Sequence, residues 1–85
     1  MNITVKLGEP LWREVGTKEF SLELPTEATV ADLLSETCEA YPALREFLVG
    51  AEVPPTVFVG DEMAENDTPL TDGVSAMLVW VMAGG

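Results

Sequence analysis

Residues 74–82 constrain this chain most. Ala76, Leu78 and Trp80 alternate with Met77, Val79 and Val81, and neither set is polar. A continuous apolar run of this length after the Asp72-Gly73 turn predicts a buried strand. A strand that is apolar on both faces belongs in the middle of a sheet, covered from both sides. The N-terminal segment makes a second claim on the same place. Ile3, Val5 and Leu7 alternate with Asn2, Thr4 and Lys6, which predicts a strand with one buried face. Setting the first and last strands side by side in the centre buries the most apolar surface.

The intervening sequence supplies the covering layer. Gly8-Glu9-Pro10 breaks the first strand, and residues 11–16 make a short connector of about one helical turn. Phe20, Leu22 and Leu24 alternate with Glu19, Ser21 and Glu23, which predicts a second strand paired with the first as an antiparallel hairpin. Thr29, followed three residues later by Asp32, resembles a capping box. Val30, Leu33, Leu34, Cys38 and Tyr41 then fall on one helical face, with Glu36 and Glu39 opposite. Pro42 ends that helix. Leu44, Phe47 and Leu48 are core candidates in a further short turn, and residues 50–55 form a loop. Residues 56–59 read as a third strand and Met63-Ala64 as a strand fragment; Leu70 anchors the polar turn that follows. The sum is one α+β domain over residues 1–85: a mixed sheet of four to five strands with one main helix across one face.

Charge narrows the partners. The chain has 85 residues, with 15 acidic against 4 basic and a net charge of −11. Nucleic-acid phosphates and anionic membranes would repel it, whereas a partner with a basic docking face would attract it. The acidity could equally serve solubility or life in high salt. No stretch has the charge and length of a signal peptide or a membrane span, so a cytoplasmic protein is expected. One cysteine excludes an internal disulfide. There is no histidine.

Gly84-Gly85 follow the last strand directly. Two glycines make a thin segment with free backbone torsions. Residues 83–85 are therefore expected to form a flexible tail that can thread into a narrow channel and deliver a terminal carboxylate. A loose end without function would look the same. The helix can cover only one face of the final strand, so the other face meets either the rest of the chain or a partner. An apolar patch beside the tail would be a docking surface.

The helix start Ala28-Thr29-Val30-Ala31-Asp32-Leu33-Leu34 and the closing run Pro69-Leu70-Thr71-Asp72-Gly73, one strand, Gly84-Gly85 resemble the MoaD/ThiS family of sulfur carriers. The resemblance spans nearly the whole chain and is closest to MoaD, the small subunit of molybdopterin synthase. It implies a ubiquitin-like β-grasp fold and a protein that is not an enzyme on its own, but a sulfur-donating, non-catalytic subunit. A MoeB-like adenylyltransferase would use ATP to activate the Gly85 carboxylate. A sulfur donor would then leave a thiocarboxylate, and a MoaE-like large subunit would receive the sulfur. The carrier itself would bind no cofactor and no metal. Gly85 is the expected reacting residue and Gly84 its permissive neighbour, with Leu78, Trp80, Met82 and Ala83 at the partner interface. Val74-Ser75 and Trp80-Val81 depart from the family's Asp-Glu and Pro-Pro, which bears on partner identity more than on fold. Related readings are a carrier for thiamin, cysteine or another metabolite, and a ubiquitin-like modifier joined through Gly85 to lysines of other proteins.

Other candidates read as structural. Cys38 has no histidine to activate it and suits the core. Asp61, Glu62, Glu65 and Asp67 lack the spacing of a calcium loop and make a solvated turn. Lys6 and Lys18 could accept an isopeptide bond but serve equally as surface charge.

Overall fold

The computed structural model describes residues 1–9, 11–48 and 55–79. Its elements follow the order β1 (Asn2–Leu7), α1 (Leu11–Val15), β2 (Glu19–Glu23), α2 (Val30–Ala40), a 3-10 turn (Pro42–Leu44), α3 (Arg45–Leu48), β3 (Thr56–Val59), β4 (Glu62–Ala64) and β5 (Ser75–Val79). The expected final strand begins one residue later than its apolar pattern, at Ser75, and residues 80–82 lie outside the described residues. The same holds for most of the expected loop 50–55.

The strands form one sheet in the order β2-β1-β5-β3-β4. β1 and β5 are parallel neighbours in its centre, with Val5 beside Ala76 and Leu7 beside Leu78. β2 runs antiparallel to β1 at one edge, and the β3–β4 hairpin forms the other side. The two most apolar strands therefore do sit together. The Gly60 turn of the β3–β4 hairpin has a positive φ of 64°, where a side chain would be strained.

One face of the sheet carries the core. Ile3, Val5, Leu7, Val57, Ala76 and Leu78 from the strands pack with Val30, Leu33, Cys38, Leu44 and Leu48 from the helical layer. α2 starts as the capping box predicts: the Asp32 carboxylate accepts the Thr29 backbone N–H at 2.9 Å and its hydroxyl at 3.2 Å. Its far end is held where Tyr41 meets Phe20 of β2, ring centroids 4.7 Å apart. Thr37 departs from the pattern, being a polar residue on the buried face. Its hydroxyl donates to the Leu33 carbonyl at 2.8 Å, which satisfies it inside the helix.

Candidate functional site: the root of the C-terminal tail and the open sheet face

β5 carries the chain towards Gly84-Gly85, and its end is fastened on both sides. The Gly8 N–H donates to the Leu78 carbonyl at 2.8 Å, just beyond the last register pair with β1. On the other flank Thr56 stands opposite Val79. Gly8 also lies close over the strand: a Cβ there would sit 3.4 Å from the Leu78 carbonyl and 3.6 Å from Val79 Cγ2. Whatever follows Val79 thus leaves from a strand held by hydrogen bonds to two neighbours. Gly84 and Gly85, the expected reacting residues, lie outside the described residues, as do Trp80, Met82 and Ala83.

Leu78 was expected at a partner interface and is instead wholly buried. Its side chain lies on the helix-covered face, and the core closes around it, so it contributes to anchoring rather than to an exposed contact. The available surface is on the other side of the same strand. Register aligns Lys6, Met77, Phe58 and Met63 across β1, β5, β3 and β4. Met63 is 71 % exposed and Met77 42 %, with Phe58 half-buried between them. Glu19 of β2 is opposite Lys6, so the row passes from a charged edge to an apolar stripe. Alternation sets Met77 on the face opposite Leu78 but leaves open which face the helix covers. Phe58 and Met63 were not singled out, although alternation through residues 56–59 and the Gly60-Asp61 turn would have placed them in that row.

Beside the tail root, α1 presents a different surface. Trp12 is half-buried, with the Lys18 ammonium 4.7 Å and the Arg13 guanidinium 5.4 Å from its ring. Arg13 is also tied to Glu9 at 2.8 Å, so this corner is close to neutral on an acidic molecule.

The remaining candidates are where the sequence placed them. Cys38 is buried on the inner face of α2, and burial pushes its thiol pKa up; Arg45 opposes that shift and Glu39 adds to it. A thiol kept protonated is a poor nucleophile. Asp61, Glu62, Glu65 and Asp67 are exposed, and Glu65 closes a turn by donating its N–H to the Thr68 hydroxyl at 2.9 Å. Among the described residues no group of three or more acidic or thiol side chains could hold a metal ion. No described helix is long and apolar enough to cross a membrane.

Solved structures of the same architecture are similar over their full length. SAMP1 from Haloferax volcanii superposes with a TM-score of 0.86 at 24 % identity, covering 100 % of both chains. A ubiquitin from Caldiarchaeum subterraneum gives 0.64 at 18 % identity, over 100 % of this chain and 98 % of that one. The fold is the ubiquitin-like β-grasp. The subunit 1 and 2 complex of molybdopterin-converting factor from Helicobacter pylori contains another such β-grasp chain, with a TM-score of 0.67 at 20 % identity and full coverage of both. No family model and no curated protein matches the sequence. In this β-grasp the final strand is central, and the open face beside it carries Met77, Phe58 and Met63.

Proposed function

We propose that the chain is a sulfur carrier that works through the carboxylate of Gly85, most plainly as the small subunit of a molybdopterin-synthase-like pair. One observation carries this reading. A β-grasp sheet places β5 at its centre, pinned by Gly8 and β3, and the sequence continues from that strand to Gly84-Gly85. Such a root fixes where the chain leaves the sheet at Val79, and two glycines let partner backbone approach without a Cβ in the way.

The chemistry follows from the carboxylate. It is a poor electrophile until one oxygen becomes a good leaving group. Attack on the α-phosphate of ATP releases pyrophosphate and forms an acyl-adenylate; a sulfur nucleophile then displaces AMP and leaves a thiocarboxylate. An adenylating enzyme supplies the acid–base groups, in keeping with a carrier that has no histidine. The exposed apolar stripe of Met77, Phe58 and Met63 is the docking face in this reading, chosen for its exposure; the likeness to a chain found in complex with a second subunit supports partner binding as such. The likeness to SAMP1, a small archaeal modifier protein, favours a second reading, conjugation of Gly85 to lysines of other proteins, which would use the same activated carboxylate.

The test is intact mass after incubation with an adenylating enzyme, ATP and a sulfur donor. Replacement of one C-terminal oxygen by sulfur is expected in the full chain and not in a chain lacking Gly85. An unchanged mass in the full chain would rule out the carrier. Higher-mass species containing a Gly85–lysine isopeptide bond would support conjugation.

A further inference from the structure

Met63 and Met77 are the most exposed large apolar side chains among the described residues, and register sets both beside Phe58 in one row. The other described sulfur atoms are less accessible. Cys38 is buried in the core and Met1 is half-buried. Oxidation selects sulfur by exposure, so among the described sulfur atoms a diffusing oxidant meets those of the docking stripe first.

We propose that Met63 and Met77 form a peroxide-sensitive modification site that weakens partner docking through the open sheet face. The inference rests on the reading of that face as a docking surface. In the step, the thioether sulfur attacks one oxygen of a hydroperoxide. An S–O bond forms as the O–O bond breaks. The second oxygen leaves, takes up a proton and becomes water or an alcohol. The sulfur is oxidised by two electrons and the peroxide is reduced by two. A dithiol reductant of the methionine sulfoxide reductase class reverses it, forming a disulfide and releasing the oxygen as water.

The position of the two side chains decides what oxidation does. In the free protein both sulfoxides remain in water, so the core on the opposite face is undisturbed. Against an apolar partner surface each sulfoxide is a strong acceptor to be desolvated without a donor. Docking therefore weakens while the fold persists, and the carboxylate chemistry at Gly85 is untouched.

The experiment treats the full chain with graded hydrogen peroxide, maps the added oxygen by peptide mass, and measures activation by the source organism's adenylating enzyme with ATP. Met63 and Met77 are expected to gain oxygen before Cys38, with the thermal midpoint little changed. The KM for the carrier should then rise about tenfold or more, as for burial of one unpaired polar group. Reductase treatment should restore it. In the Met63→Leu/Met77→Leu chain, compared with its own untreated form, peroxide should leave KM unmoved. An unchanged KM in the oxidised natural chain, or an equal rise in the double variant, overturns the proposal. A folded, unoxidised Met77→Asp chain reads docking separately. Unchanged KM there sinks the docking face itself. A raised KM there, with none after oxidation, sinks only the peroxide site.

Discussion

Met77 and Leu78 are consecutive in β5 and lie on opposite faces of the sheet, Met77 42 % exposed and Leu78 fully buried. Their substitutions should separate cleanly. Leu78→Ala leaves a cavity in the packed core and is expected to cost about 2–5 kcal/mol. Met77→Thr keeps a strand-forming residue at an exposed position and should change stability by no more than about 1 kcal/mol. Urea unfolding of the two variants checks this; similar losses would mean that the open face is not open.

A second prediction concerns the turn that precedes β5. The Asp72 carboxylate accepts the Asn2 backbone N–H at 2.7 Å, and the Gly73 N–H donates to the Asn2 carbonyl at 2.8 Å. This clamp sets where β1 and β5 begin beside each other. Asp72→Ala should destabilise by about 1 kcal/mol, and Asp72→Asn, which keeps an acceptor oxygen, by less. If denaturant midpoints of the two variants coincide, the carboxylate oxygen is not what holds Asn2.

The charge of −11 gives a third. Repulsion among exposed carboxylates opposes compaction, and salt screens it over about 10 Å at 0.1 M. The thermal midpoint is therefore expected to rise as sodium chloride is raised from low ionic strength. A flat or falling curve would show that self-repulsion is not a controlling term.

Cys38 supplies a pH test. Burial raises its thiol pKa above the ordinary 9.0, so the folded state holds the thiol proton more tightly than the unfolded chain. The resulting stability is fully present below the unfolded value and is lost as the pH rises through the folded one. Stability of the natural chain should fall more steeply in that alkaline window than that of Cys38→Ala. Native alkylation should also be slower than alkylation of the unfolded chain at the same pH. Equal slopes and equal rates would place the thiol in water.

Most of the fold was legible because it rests on local pattern, alternation in the first strand and an unbroken apolar run in the last. Residues 3–7 and 74–82 announced two central strands, and Thr29 with Asp32 marked the start of α2. Thr37 was not legible: a hydroxyl reads as polar until its bond to the Leu33 carbonyl is seen. The interface was only half legible. Alternation placed Leu78 and Met77 on opposite faces but could not say which one the helix covers.

The sequence by itself determined the element types, the central pairing of the two apolar strands, the acidic surface and the presence of Gly84-Gly85 after the last strand. These depend on spacing, composition and order along the chain. Tertiary structure decided what depends on neighbours far apart in sequence. It buried Leu78 under α2, left Met77 exposed, and brought Phe58 and Met63 into one row with it through the register of β3, β4 and β5. A side chain's exposure is set by what packs over it, and in a sheet that is fixed only when strands choose partners and a helix chooses a face.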